Sequence, residues 1–359
     1  TINIAYSKDG VNFDKYDLNP IIDTKDIPSC ASIYDFRDPC IFKKNGKLYI
    51  IVGSKSKDEK EAMLVLYEGE DIFHFHFLKK LVSSDKFGTM FECPNLVSFE
   101  DNNYIIMSPQ NIKEKDGNFA NVSSCVYFKL KGDFIHEEQT IEKVKEIDHG
   151  LEYYAPTVYN DEKILVNWVQ MWGRRYYLDE IHNDFINTFS LFKKIKEKDG
   201  VLSFTPLSLE NYVTEKKIEK IKLNGESQTY HNCHVHYQVK FEKDEELCLT
   251  IEFFNSKRDK VNFVIDCKNN IYQLDRSNVS IPLNGVEDSY AKDGKRYLKK
   301  EIPSNCVIDI YIDNAYVEIY FDNFEEGFSF INFSKEDGFS LKSNKLVEIS
   351  LLSENIEVK

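Results

Sequence analysis

The chain has 359 residues, enough for two domains with substantial cores. A net charge of −14 and a pI near 5.2 repel phosphate backbones, which argues against a nucleic-acid partner. Apolar residues at 42% and aromatics at 14% indicate a folded chain, and no apolar run is long enough to span a bilayer.

Phe (26) and Tyr (21) far outnumber Met (4), a bias that suits strands better than helices. Residues 3–16 read as an outer hairpin turning at Lys8-Asp9-Gly10. A recurring unit follows, in which a proline opens an apolar strand, a polar turn comes next, and a second strand returns. It occurs as Arg37-Asp38-Pro39 with Leu48 to Val52, as Phe91-Glu92-Cys93-Pro94 with Tyr104 to Met107, and as Tyr154-Ala155-Pro156 with Ile164 to Trp168. A proline at the first residue of a strand sacrifices no ladder hydrogen bond, so each one marks a strand start. The prolines stand 55 and 62 residues apart, and outer hairpins (63–77, 125–134, 189–204) follow each inner pair. A repeat of that length, built of short strands, predicts propeller blades.

No carboxylate and proline opener precedes the first hairpin, so the chain is expected to start inside a blade. An N-terminal piece is then expected upstream, with an ordinary irregular N-terminus as the alternative. From about residue 213 the openers stop, and short strands alternate over 233–242, 247–255, 260–267, 270–274, 297–300, 305–311, 315–321 and 328–333. That pattern predicts a two-sheet sandwich. The charged segment 213–221 reads as a linker or a short connecting strand. The expected division is a propeller domain over 1–212 and a sandwich domain over 213–359.

The eight cysteines (Cys30, Cys40, Cys93, Cys125, Cys233, Cys248, Cys267, Cys306) form no Cys-x-x-Cys pair, which leaves a zinc ribbon or thioredoxin-type site unsupported. Several lie in apolar strands and read as reduced thiols, so a cytoplasmic location is expected. The expected missing N-terminus leaves a signal peptide open.

In a propeller the first strands of all blades meet at one axis, so Asp38, Glu92 and the segment Asp148 to Tyr154 are expected to converge. Two carboxyl groups facing across a pocket is the arrangement of glycoside hydrolysis. Glu92, flanked by Met90, Phe91 and Cys93, is the acid candidate, and Asp38, next to Arg37, the ionised partner. The alternative is that both merely accept backbone amides at strand starts. His234 and His236 share a strand face and could ligate a metal, although alternation fits an ordinary strand better. Arg174 and Arg175 could hold a sugar phosphate or belong to a solvated turn. Trp168 and Trp172 could stack on sugars, with Trp168 reading equally well as core.

The motifs Arg37-Asp38-Pro39, Phe91-Glu92-Cys93-Pro94, Asp148-His149-Gly150-Leu151-Glu152-Tyr153-Tyr154-Ala155-Pro156 and Ile164 to Trp172, together with Tyr272 to Ser277 and Ile308 to Tyr320, resemble glycoside hydrolase family 32, the family of invertases, sucrose-6-phosphate hydrolases, levanases and inulinases. The resemblance implies a five-bladed β-propeller, here N-terminally incomplete, followed by a β-sandwich. It implies retaining hydrolysis of β-fructofuranosyl bonds in sucrose, sucrose 6-phosphate or fructans, with Glu92 as general acid/base and Asp38 as transition-state stabiliser. Arg37, Cys93, Asp148, Tyr154 and Trp172 are the candidate substrate contacts. No metal or organic cofactor is implied, the partner is a small carbohydrate rather than nucleic acid or membrane, and an oligomer stays open. The family's nucleophile belongs to an Asn-Asp-Pro-Asn motif, whereas the only Asp-Pro step here is Asp38-Pro39. The 359 residues alone are therefore expected to be inactive. A non-catalytic carbohydrate-binding protein of the same fold is the alternative. Two further departures are Glu152, where many members have Asp, and the run Tyr176 to Leu191.

Overall fold

The computed structural model describes residues 1–100, 102–175, 188–227, 229–231, 234–254, 260–279, 284–285, 294–313, 316–332 and 338–357. Among the described residues the chain is all-β, and its helical elements are two 3-10 turns, Thr24–Asp26 and Glu210–Tyr212. None is long and apolar enough to cross a membrane. The chain divides into two compact units. The first is Thr1–Lys113, Ser123–Lys145 and Ala155–Lys163; the second is Glu114–Val122, Glu146–Tyr154 and Ile164–Lys359.

In the first unit the expected N-terminal hairpin is a short pairing of Ala5–Tyr6 with Asp14–Lys15. The Asp9 carboxylate closes its turn by accepting from the backbone N–H of Val11 and Asn12 at 2.9 and 2.8 Å. An antiparallel meander follows: β1 (Ala31–Lys44), β2 (Lys47–Ser56), β3 (Ala62–Gly69) and β4 (Phe75–Ser84). The β1–β2 turn uses Asn45 and Gly46, both at positive φ (52° and 83°), as a tight hairpin of right-handed twist requires. Almost every residue of β3 is buried, as befits an inner strand of its sheet. The core here joins Ile2, Ile22, Ile27 and Phe36 to Ile50, Val52, Met63, Val65 and Tyr67. A second meander comprises β5 (Met90–Phe99), β6 (Asn102–Gln110) and β7 (Val126–Leu130).

The repeat visible in sequence has a backbone signature. Asp38, Cys93 and Ala155, each the residue before an opening proline, have φ of 55°, 50° and 52°. Left-handed non-glycine residues cost roughly 1–3 kcal/mol each, and a following proline restricts them further. The ladder register shifts at the same places, between Arg37 and Cys40 in β1 and between Glu92 and Asn95 in β5. Pro39 and Pro94 therefore sit in bulges, where the missing N–H leaves no gap and the side chain before the proline leaves the strand's alternation.

In the second unit a sheet is built from Ile164–Val169, Thr188–Phe189, Lys193–Lys198 and Val201–Pro206. The eight short strands expected after residue 233 are found as His234–Glu242, Cys248–Phe254, Lys260–Asp266, Ile271–Asn278, Lys295–Lys299, Asn305–Asp313, Tyr316–Phe321 and Glu326–Ile331. They belong to one ten-stranded hydrogen-bonded set rather than to two separate sheets. The joining element is Gly338–Ile356, which pairs with Cys248–Phe254 through its first part and with His234–Glu242 through its last. The segment read as a linker is a full strand, Val213–Glu226, laid along the same joining strand. Its mostly exposed Lys and Glu side chains hid it, because the pairing is by backbone and by charge, as at Lys216–Glu354 (2.6 Å). The core beneath includes Val235, Tyr237, Val239, Phe241, Phe263, Ile310, Phe328 and Phe330.

Gly53 of β2 tests the close approach between meanders. A Cβ there would lie 2.3 Å from the Phe91 carbonyl oxygen of β5. Gly53→Ala is expected to lower stability by about 1–3 kcal/mol, measured by denaturant unfolding. Gly46→Asn, at an open turn, is expected to cost far less.

Candidate active site

Glu92 and Asp38 are brought together by the two bulges in the first unit. The backbone N–H of Cys93 donates to Asp38 Oδ2 at 2.9 Å, and the Cys93 thiol lies 3.6 Å from the same oxygen. The Arg37 guanidinium donates to Glu92 Oε1 at 3.1 Å. The two proline-opened strands are thus cross-linked by the residues flanking the two acids. Glu92 is 4% exposed, while Asp38 and Cys93 are half-buried. Burial, reinforced by Asp38 and Glu92, pushes the Cys93 thiol well above its ordinary range, so it stays a neutral, weak donor. Asp38 does accept a backbone amide at a strand start, but that amide belongs to the neighbouring repeat.

One sequence expectation is corrected here. Arg37 was assigned as the cation favouring an ionised Asp38, yet its guanidinium contacts Glu92 and Asp35 (2.5 Å to Asp35 Oδ1). Neighbours along a strand point to opposite faces, so adjacency in sequence does not put Arg37 over Asp38. Asp35, two residues earlier, is the partner that the strand period supplies, and sequence reading passed over it. Asn95 was missed as well. Its amide nitrogen donates to the carbonyls of Cys93 (2.9 Å) and Pro156 (2.8 Å), and its oxygen accepts from the Val158 N–H (3.0 Å). One side chain thereby ties the second proline-opened strand to the third.

Asp148 and Tyr154 lie in the second unit. Asp148 is buried and saturated: Oδ1 accepts from the N–H of Gly150 (2.8 Å) and Ser329 (3.0 Å), and Oδ2 accepts from Ser329 Oγ (2.7 Å). Burial raises its carboxyl to about 6 against these bonds. The neighbouring His149 is also buried, with Nε2 3.0 Å from Glu326 and Nδ1 3.3 Å from Glu146. Burial opposes its charge, but the two carboxylates prevail and raise the imidazole to about 10. Glu152 is fully buried and held in two-pronged contact by Arg276 (3.0 and 2.7 Å), with the Ile331 N–H at 2.8 Å and Arg174 at 3.6 Å. Arg174 also donates to Asn121 and to the Leu151 carbonyl, so it is neither a solvated turn residue nor open to a phosphate. The side chain of Arg175, the run 176–187 and Cys233 lie outside the described residues.

Tyr154 is buried and packs edge-on against Trp168 (5.9 Å) and Trp172 (6.3 Å). Trp172 is 58% exposed, so of the two tryptophans it is the one presented to solvent, while Trp168 is half-buried. His236 faces a carboxylate through each ring nitrogen, Glu354 at 2.8 Å and Asp309 at 2.9 Å, and His234 pairs with Asp313 at 2.9 Å. Both ring nitrogens of His236, and Nδ1 of His234, are thereby engaged by carboxylates. A cavity of about 530 Å³ in the second unit, lined by Leu191, Leu209, Tyr311, Ile312 and Tyr316 among others, contains none of the candidate catalytic residues.

Comparison with known proteins defines the family and the fold. The family model "Glycosyl hydrolases family 32 N-terminal domain" matches residues 1–206. Among curated relatives, the sucrose-6-phosphate hydrolase of Streptococcus mutans is 26% identical over 322 residues, 86% of this chain and 64% of the relative. That of Vibrio alginolyticus is 26% identical over 293 residues, 78% of this chain and 56% of the relative. That of Bacillus subtilis is 28% identical over 174 residues, 46% of this chain and 35% of the relative. The chain thus spans about a third to two thirds of the length of these relatives. Among solved structures, a sucrose-6-phosphate hydrolase from Lactobacillus gasseri shares the fold with TM-score 0.85 at 18% identity, covering 99% of this chain and 72% of that one. A GH32 beta-fructofuranosidase from Bombyx mori does so with TM-score 0.82 at 22% identity, covering 98% and 72%. The all-β fold is therefore that of known fructoside-hydrolase structures. The chain belongs to glycosyl hydrolases family 32.

The charges around His149 give a pH signature. Its folded pKa of about 10 stands above the ordinary imidazole value of 6.5. Its stabilisation is thus complete below about 6.5 and lost as pH rises through 10. His149→Gln is expected to destabilise by about 3–5 kcal/mol at pH 6, by taking the imidazolium from Glu146 and leaving Glu326 with Lys300 alone. The gap from the parent chain, followed by thermal unfolding across pH 6–10.5, should narrow towards the alkaline end.

Proposed function

We propose that the chain belongs to a retaining β-fructofuranosidase acting on sucrose, sucrose 6-phosphate or a fructan. Glu92 is the general acid/base, and Asp38 binds the fructosyl hydroxyls and stabilises the oxocarbenium-like transition state. The observation that supports this reading is the cross-link between the two proline bulges: the residue after the buried Glu92 donates to the half-buried Asp38, and the residue before Asp38 donates to Glu92. Paired carboxyls in unlike surroundings are what acid-assisted glycoside cleavage requires. Arg37 and Cys93 border the same pair, and Trp172 offers an exposed ring for a sugar face. Within the proposal the architecture is a five-bladed propeller followed by a sandwich, with the domain boundary near 212/213. The sucrose-6-phosphate hydrolase names of the curated relatives favour a phosphorylated or free disaccharide as substrate.

The sequence contains no Asn-Asp-Pro-Asn motif, and a retaining reaction needs a nucleophilic carboxylate as well as an acid. This favours, as a second reading, a chain that binds carbohydrate without cleaving it. Residues 1–359 assayed alone are expected to bind fructosides and release no fructose. In a gene product that also supplies the nucleophile motif, Glu92→Gln is expected to reduce kcat by about 10²–10⁴-fold while leaving the unfolding midpoint within a few degrees. Fructose release measured in parallel for the two proteins decides it. Undiminished turnover in Glu92→Gln rules Glu92 out as the acid, and binding without turnover in the gene product selects the second reading.

A further inference from the structure

Beside the acid pair runs a row of alternating charges. Lys55 Nζ of β2 lies 3.1 Å from Asp35 Oδ2, Asp35 Oδ1 accepts from Arg37 at 2.5 Å, and Arg37 reaches Glu92 Oε1 at 3.1 Å. The row begins in a second irregularity of β1, where the ladder register shifts between Ala31 and Phe36. Within it the backbone N–H groups of Tyr34 and Asp35 donate to Ser32 Oγ (both 3.3 Å), and Ser54 Oγ donates to the Asp35 carbonyl at 2.7 Å. Ile33 and Tyr34 are thereby thrown out to solvent at 53% and 84% exposure, while the Asp35 side chain is kept inward at 20%. An arginine side chain that is 39% exposed would otherwise be free to choose among rotamers. The carboxylate of Asp35 takes up one arm of the guanidinium and leaves the other aimed at Glu92.

We propose that Asp35 is a positioning residue: it holds Arg37 against Glu92, and Lys55 in turn holds Asp35. The inference deepens the reading of Glu92 and Asp38 as the reacting pair and extends that site by two side chains. Among the described residues, charged and titratable groups facing this row include Glu59, which also meets Lys55 at 3.3 Å, Cys93 beside Glu92, and Asp38 on the far side of Cys93. Three consequences follow from the order of charges. Asp35→Asn keeps an oxygen acceptor for Arg37 but removes the anion that offsets the guanidinium, so Glu92 releases its proton at lower pH. Lys55→Met removes a cation from the far side of Asp35 and acts in the opposite direction. Asp35→Glu retains the charge and restores the parent behaviour.

The test is a carboxyl carbon-13 NMR titration of the 359-residue chain labelled at glutamate, with the Glu92 signal assigned by its loss in Glu92→Gln. The Glu92 midpoint is expected to fall by about half a pH unit in Asp35→Asn and to rise by about as much in Lys55→Met. It is expected to return to the parent value in Asp35→Glu. A merely structural Asp35 would change the unfolding temperature without moving the two midpoints in opposite directions. Midpoints that stay put in both folded variants, or that move the same way, overturn the proposal. The readout does not depend on turnover. If Glu92→Gln keeps full activity while the midpoints shift as stated, the acid assignment fails and the positioning row stands.

Discussion

The first unit depends on a backbone constraint repeated three times. A left-handed residue precedes a proline at Asp38-Pro39, Cys93-Pro94 and Ala155-Pro156. The first two break the two-residue period of their strands, where the ladder shifts register. In the first repeat that residue is Asp38. In the second it is Cys93, whose freed N–H becomes the donor to Asp38. The strain and the site share one origin: the conformation unfavourable to the strand is what places an acceptor of one repeat on a donor of the next. The strands on either side return to regular pairing and hold the irregularity in place.

The second unit solves a different problem, that of burying charge. Its segments Glu114–Val122 and Glu146–Tyr154 bury polar and charged side chains beside apolar ones, and hydrogen-bonded ions help to hold them. Arg276 grips Glu152, Arg174 and Arg296 converge on the Asn121 side-chain oxygen, and Asp148 fastens on Ser329. Lys193 is buried with Glu318 at 2.8 Å and lies over the ring of Tyr153. Such pairs add little net stability over apolar packing, but the loss of one partner is costly, which makes the arrangement specific. The family-like motif around Asp148 and Glu152 is thus explained by anchoring within its own unit.

Much of this was legible in the sequence, for identifiable reasons. The prolines marked the places where regular pairing breaks rather than strand starts, since Pro39 and Pro94 lie inside Ala31–Lys44 and Met90–Phe99 at shifts of register, and the eight strands after residue 233 showed their alternation. The joining strand Gly338–Ile356 was not legible. The run Lys342-Ser343-Asn344-Lys345 interrupts its apolar pattern, and there the ladder shifts register, Lys342 and Ser343 pairing before the shift and Val347 after it. Val213–Glu226 escaped for the same reason, since its contribution is a ladder and a row of ion pairs. The proximity of Asp38 and Glu92 followed from repetition, but the placement of Arg37 did not. A bulge changes which face a residue occupies, and no side-chain pattern announces its exact register. Arg174 read as a surface cation because its buried partners, Asn121 and Glu152, are distant in sequence.

The amide of Asn95 has a chemical corollary. Both of its ends are engaged, the nitrogen by two carbonyl oxygens and the oxygen by an amide hydrogen. Deamidation at this position would set a carboxylate oxygen against the carbonyls of Cys93 and Pro156, turning two attractions into two repulsions while sparing the third bond. Slow chemical ageing of a single side chain would thus strike the seam between the second and third proline-opened strands, next to the residue that donates to Asp38.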